Sequence, residues 1–185
     1  MLKVFVAESN AYALLARAAR AVWGWETLPE ISRLSGGKPV FTDAPGHHFS
    51  LSHSGRLALC ALSDAPVGAD IEVIRPRKEN LPAYALKGER YERYLSLGGD
   101  WPAFYALWTE VESIVKYTGE GLQAWQRAQV PEGCVISHLN GPGWAASVCG
   151  HEVTQGPGCD QRLTDLPFPF PARRATISGG DQNER

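Results

Sequence analysis

Residues 67–73 read VGADIEV, and the fold turns on how that stretch is read. Val67, Ala69, Ile71 and Val73 alternate with Gly68, Asp70 and Glu72. A period of two is that of a β-strand, whose successive side chains point to opposite faces. The apolar set then faces a core. Asp70 and Glu72 stand side by side on the other face, roughly 6–7 Å apart along the chain. Two anions that close repel unless water or a cation lies between them. Taken alone, the pair reads as a solvated strand face. A cation site needs a further ligand from elsewhere in the chain.

Upstream of this strand, LKVFVA (2–7) reads as a strand. Ser9 or Asn10 caps a helix from about Ala11 to Trp23, whose Leu14, Leu15, Ala18, Ala19 and Val22 recur at helical spacing. The next stretch reads as irregular and ends in SGGKPVF (35–41), where Gly36 and Gly37 loosen the backbone before Lys38. HHFSLSHS (47–54) and LALCALS (57–63) read as two strands joined by a turn at Ser54 and Gly55.

Downstream, residues 75–100 are polar and charged, with helical pieces. DWPAFYALWTEVESIVKYTG (100–119) is the strongest helix, with Asp100 as cap, Pro102 in the first turn and Gly119 as stop. CVISHL (134–139) and GWAASVC (143–149) read as strands, and the tail from Thr176 as disordered. Each half supplies a helix and then strands. The expected fold is α+β: two pseudo-symmetric lobes, each a small antiparallel sheet with a long helix, and an active cleft between them. The boundaries expected are 1–66 for the N-terminal lobe, 67–175 for the C-terminal lobe with its connecting segment, and 176–185 for the tail.

With 44% apolar and 21% charged residues among 185, the chain has the composition of a globular protein rather than a disordered one. A net charge of −2 supplies no global basic field and argues against nucleic acid as partner. None of the four cysteines forms a C-x-x-C pair, so neither a zinc knuckle nor a redox dithiol is indicated. Cys60 and Cys149 lie in apolar runs and read as core residues. The start, MLKVFVAES, is too short for a secretory leader, and no apolar run is long enough to span a membrane. A cytoplasmic location is therefore expected.

The long helix carries the further ligand. Phe104, Leu107, Val111 and Ile114 form its apolar stripe, while Trp108, Glu112 and Lys116 follow at i, i+4 and i+8 along an adjoining edge. By itself the Glu112–Lys116 pair reads as an exposed ion pair, worth about 0.2–0.5 kcal/mol. The helix runs into TGEGL (118–122), whose glycines permit a sharp turn and close approach of a ligand.

D-I-E on a strand, followed by W-T-x-x-E-S-x-x-K-x-x-G-x-G-L on a helix, resembles the 4′-phosphopantetheinyl transferase superfamily, in its larger, pseudo-dimeric single-chain form. G-K-P at Gly37–Pro39, F-S-L-S-H-S at Phe49–Ser54 and V-G-x-D-I-E at Val67–Glu72 agree in order. The resemblance runs from about Arg33 to Leu122. It implies transfer of the phosphopantetheine arm of coenzyme A to a serine of an acyl or peptidyl carrier protein, with release of 3′,5′-ADP. It further implies Mg²⁺ on Asp70, Glu72 and Glu112, with Glu112 also proposed as base for the attacking serine. Lys116 would contact the pyrophosphate, and Arg33, Lys38, Ser52 and His53 would hold coenzyme A phosphates. His47 and His48 match no motif and read as surface residues. The S-H-S-G stretch lacks the spacing of a hydrolase nucleophile elbow.

One departure stands out. The family usually has lysine where this chain has Val111. A charge-assisted phosphate contact is worth about 1.5–3 kcal/mol, so its loss in the transition state would cost roughly ten- to a hundredfold in rate. Restoring it by Val111→Lys would be expected to raise turnover. Arg75, Arg77, Lys78, Lys87, Arg90 and Arg93, interrupted by Leu81, Tyr84 and Leu86, offer a basic, partly apolar segment for an acidic carrier helix, although Glu79, Glu89 and Glu92 dilute it. A monomer is expected, because one chain holds both lobes. Two other readings stay open: a degenerate relative acting as a coenzyme A-binding module, and a metal-dependent phosphoesterase using the same carboxylates.

Overall fold

Two three-stranded antiparallel sheets with the same strand logic make up the centre of the protein. In the computed structural model, residues 1–151 are described; the expected tail from Thr176 and the end of the expected C-terminal lobe lie outside the described residues. The elements run β1 (Leu2–Glu8), α1 (Ala11–Trp23), β2 (Ile31–Arg33), β3 (Pro39–Phe41), β4 (His48–Ser54), β5 (Leu57–Ser63) and β6 (Val67–Val73). They continue with α2 (Leu81–Ala85), α3 (Glu89–Ser96), α4 (Trp101–Thr118), a 3₁₀ helix (Leu122–Arg127), β7 (Cys134–Gly141) and β8 (Trp144–His151).

The first sheet has the order β1-β5-β4 and the second β6-β8-β7. In each, the first strand pairs with the last strand of a hairpin that lies beyond a helix. α1 is held at its start by Asn10, whose side chain accepts from the Tyr12 and Ala13 N–H groups. α4 is held by Asp100, whose carboxylate accepts from the Ala103 N–H. Both end on a glycine in the left-handed region, Gly24 and Gly119, which an L side chain would strain.

Alternation decides which face of each strand meets what. Phe5, Ala58, Cys60 and Leu62 pack with Leu14, Leu15 and Ala18 of α1. Val4, Leu59 and Ala61, on the opposite face of β1 and β5, pack with Val67, Ala69 and Ile71 of β6 and with Ala146 and Val148 of β8. The two sheets therefore share one apolar layer, and α4 covers the outer face of the second. Gly68 allows that cover to be close. A Cβ there would lie 2.0 Å from the Ser113 carbonyl oxygen and 2.3 Å from the Tyr117 nitrogen, both on α4.

Two expectations are corrected here. The stretch read as irregular contains the β2–β3 hairpin, with Ile31 opposite Phe41 and Arg33 opposite Pro39; three-residue strands are too short to leave a periodic signal. Its turn rests on the C-terminal end of α4, where a Cβ on Gly36 would collide with the Gly119 carbonyl. His47 and His48 are half-buried rather than surface residues. The His47 ring packs against Trp23 and Trp25, each at a centroid distance of 4.9 Å. A histidine can act as an aromatic filler, and polarity alone does not distinguish that role.

Behind α4 lies a polar network, buried at Thr109, Glu110 and Ser147 and exposed at Arg93 and His138. Arg93 Nη1 donates to Glu110 Oε2 at 3.0 Å, and His138 Nε2 lies 3.5 Å from the same oxygen. Ser147 Oγ joins His138 Nδ1 at 3.1 Å and Thr109 Oγ1 at 2.9 Å. Although this contains serine, histidine and glutamate in sequence, Ser147 is 0% exposed and no substrate could reach it. The network ties α4 to α3, β7 and β8.

Candidate active site

β6 and α4 bring the sequence-distant carboxylates together. Asp70 and Glu72 share the Gly68 face of β6, the face that α4 covers, and Glu112 and Lys116 lie on the neighbouring edge of the helix. One carboxylate oxygen from each of Asp70, Glu72 and Glu112 lies within 4.8 Å of the others. The strand face read in isolation as solvated is therefore closed: Asp70 is 2% exposed. Lys116 pairs not with Glu112, as the helix spacing suggested, but with Asp70, Nζ donating to Oδ1 at 2.6 Å. Ser52 Oγ donates to the same oxygen at 2.6 Å. Asp70 Oδ2 is buried and has no hydrogen-bond partner among the described residues.

Three carboxylates within a few ångström are electrostatically unstable without a cation. Glu112 carries that stress. Burial pushes its pKa up to about 7, and the negative charges of Asp70 and Glu72 push the same way; Lys116 and a hydrogen bond from Trp108 oppose them. An orphaned buried oxygen, three oxygen donors and a crowded anionic centre are the requirements of a small hard cation such as Mg²⁺. The donor set fits it.

The triad stands between two cavities. One, of about 380 Å³, is lined by Arg33, Lys38, Ser52, His53, Glu112 and Lys116, with Tyr12 and Gly36–Pro39. It brings every residue expected to bind coenzyme A phosphate into one wall system. The other, of about 530 Å³, is lined by Glu72, Arg77, Lys78, Tyr84, Phe104 and Trp108, among others.

The cationic residues in the first cavity are held in different ways. Arg33 Nη1 donates to the Gly37 carbonyl at 2.8 Å and Nη2 to the Tyr12 hydroxyl at 3.3 Å. Lys38 Nζ donates to the carbonyls of Val67 and Tyr117, at 3.1 and 2.9 Å, and so ties the β2–β3 hairpin to β6 and to the end of α4. Burial among these neutral groups lowers its pKa to about 8. His53 is exposed on the cavity wall.

Position 111 does not belong to this site. Val111 is 1% exposed and packs with Ile114, Val115, Ala124, Ala128 and Cys149. Adjacent helix residues diverge by about 100°, so a side chain next to Glu112 in sequence points elsewhere. Val111 lies in the core and does not line the first cavity, which argues against the expectation that a lysine here would sit on the phosphates.

Some contributors escaped sequence reading. Gly68 had a visible signal, a glycine inside a strand pattern, which marks close approach of another backbone. Ser50 and Ser54 of β4 bond β6 from outside its ladder, and nothing in their own segment announces it. Tyr12, at the start of α1, lines the cavity and accepts from Arg33 of β2, a pairing across 21 residues that no local pattern announces.

Comparison with known proteins agrees with this arrangement. Residues 66–153 match the family model described as the 4′-phosphopantetheinyl transferase superfamily. The chain is 38% identical over 88 residues to 4′-phosphopantetheinyl transferase Sfp of Bacillus subtilis (strain 168), covering 46% of this chain and 39% of that one. It is 40% identical over 114 residues to 4′-phosphopantetheinyl transferase AcpT of Salmonella typhi, covering 56% and 55% respectively. AcpT of Escherichia coli (strain K12) is 39% identical over 108 residues, covering 56% and 54%. The matched segments thus span about half, or less, of the length of these curated relatives. The matched 66–153 segment contains β6, α4 and all three carboxylates. The segment that carries the carboxylates is thus similar to the 4′-phosphopantetheinyl transferase superfamily.

Proposed function

We propose that this protein transfers the 4′-phosphopantetheine arm of coenzyme A to a serine hydroxyl of an acyl or peptidyl carrier protein, acting as a cytoplasmic monomer. The observation that carries the reading is the carboxylate triad, within 4.8 Å, at the junction of a cation-lined cavity and a second, partly aromatic one. Mg²⁺ held by Asp70, Glu72 and Glu112 would supply neutralisation of the pyrophosphate charge.

The chain's own groups do the rest. Arg33 and Lys116, which both line the first cavity, offer positive charge to the phosphates, and His53 adds a donor. Ser52 and Lys116 together fix Asp70 by one oxygen and leave the other directed inward. Glu112 belongs to the triad and also lines the first cavity, where it could accept the proton of an attacking hydroxyl. The second cavity presents Leu81, Tyr84, Phe104 and Trp108 beside Arg77 and Lys78. An acidic amphipathic helix of a carrier protein suits that mixture, its apolar side on the rings and its carboxylates on the cations.

The test is incubation with coenzyme A, Mg²⁺ and an apo carrier protein, with the carrier weighed by intact-mass spectrometry. A mass gain of one phosphopantetheine, abolished by Asp70→Asn, is expected. Release of 3′,5′-ADP with an unmodified carrier would make the protein a phosphoesterase. Coenzyme A binding with neither product would make it a binding module.

A further inference from the structure

Asp70 and Glu72 are reached from outside their own sheet. β6 is an edge strand, and β4 of the first sheet runs beside its free edge. Ser50, Ser52 and Ser54 occupy alternate positions of β4 and are all buried. Ser50 Oγ accepts from the Ala69 N–H at 2.9 Å, a contact with backbone only. Ser54 Oγ accepts from the Val73 N–H at 3.0 Å and donates to Glu72 Oε2 at 2.6 Å.

The two Ser54 bonds constrain one another. A hydroxyl has one proton and two lone pairs. Once the Val73 N–H occupies a lone pair, the single proton is directed at Glu72. The backbone of β6 thereby orients a side chain of β4, which in turn orients a side chain of β6. Glu72 needs this more than Asp70 does. It is longer, only half-buried, and borders the second cavity, which Arg77 and Lys78 also line. An untethered glutamate would have to lose its rotamer freedom when the ion binds; a tethered one has lost it on folding.

We propose that Ser54 is a positioning residue that holds Glu72 as the third ligand of a divalent cation. The inference rests on the reading of Asp70, Glu72 and Glu112 as a metal centre, and its test separates the two. Mn²⁺ is titrated into the full chain without substrate, and free Mn²⁺ is measured by electron paramagnetic resonance. Ser54→Ala is expected to weaken Mn²⁺ binding about tenfold, the scale of an outer hydrogen bond to a metal ligand. Ser50→Ala removes a hydroxyl from the same seam and the same strand but touches no carboxylate, and is expected to leave the affinity within about twofold. Ser54→Thr, which keeps the hydroxyl, is expected to restore binding. In a Glu72→Ala background, Ser54→Ala is expected to add nothing. Unchanged binding in Ser54→Ala overturns the proposal, as does equal weakening by Ser50→Ala or an undiminished effect in the Glu72→Ala background. If the parent binds no Mn²⁺, or Asp70→Asn binds it as the parent does, the metal centre itself is refuted and the role of Ser54 with it.

Discussion

The two halves of the molecule use one plan for opposite ends. β1 and β6 hold the same place in their sheets, each pairing with the last strand of a hairpin, and each is covered by a helix on one face. Phe5 stands fourth in β1 and Asp70 fourth in β6; Ala7 and Glu72 follow two residues later. Phe5 and Ala7 pack under α1 in an apolar layer. Asp70 and Glu72 lie under α4, which answers with Glu112 and Lys116. The same backbone relation thus gives a hydrophobic core in one half and a cluster of carboxylates in the other. What differs is the side chains and the route to the cavity, not the frame.

The largest expected effect comes from copying the second half into the first. Phe5→Asp empties an apolar site and leaves a buried carboxylate without a partner, at a cost of about 3–5 kcal/mol. Denaturant melts should show that loss, and added Mn²⁺ should not recover it. Recovery by Mn²⁺ would mean that the frame alone makes an ion site, and the contrast between the halves would fail.

Val111→Lys tests the reverse boundary, between the site and its supporting core. A cation pressed among Ile114, Ala124 and Ala128 should lower stability by about 3 kcal/mol, the scale of an unpaired buried charge. Transfer per folded molecule should not rise. A faster variant with an unchanged melting point would return position 111 to the site.

Gly68→Ala sharpens the comparison at the place where helix and strand come closest. The added methyl group meets the Ser113 carbonyl, so α4 must move; overpacking of this kind costs about 1–3 kcal/mol. Because α4 carries Glu112, Mn²⁺ affinity should fall with stability. At the matching position of β1, Lys3→Ala should change neither appreciably.

The smallest effect is a pH dependence. The pKa of Glu112 is raised from 4.5 to about 7 in the folded protein, mainly by burial and then by the charge of Asp70. Between those values the folded state binds the proton and the unfolded state has released it. The stability this contributes to the metal-free protein is complete below about pH 4.5 and is lost as pH rises through 7. Glu112→Gln should therefore melt higher than the parent at pH 8 without divalent ions, with the difference shrinking towards pH 4.5. Saturating Mn²⁺ should reverse the order at pH 8 by stabilising the parent alone.

The sequence went far for local structure because local rules are written in neighbouring residues. Ser9 or Asn10 and Asp100 marked helix starts, of which the structure uses Asn10 and Asp100, Gly119 marked a helix end, and period-two runs marked six of the strands. The β2–β3 hairpin was missed because its strands are three residues long. For the site, the order of motifs named the carboxylates and the cations, and the first cavity gathers Arg33, Lys38, Ser52, His53, Glu112 and Lys116. It did not say that Lys116 would sit on Asp70, or that Lys38 would spend its ammonium on two carbonyls.

By itself, then, the chain fixed which side chains share a face: Asp70 with Glu72, Glu112 with Lys116, Ser50 with Ser52 and Ser54. Only the tertiary structure decided what each face meets. Periodicity is a property of one segment, set by the geometry of its backbone, whereas cover, pairing and burial come from segments dozens of residues away. The strand face that reads as solvated is closed and joined by a third carboxylate because α4 packs over Gly68, and its two carboxylates are aimed because β4 happens to run beside them.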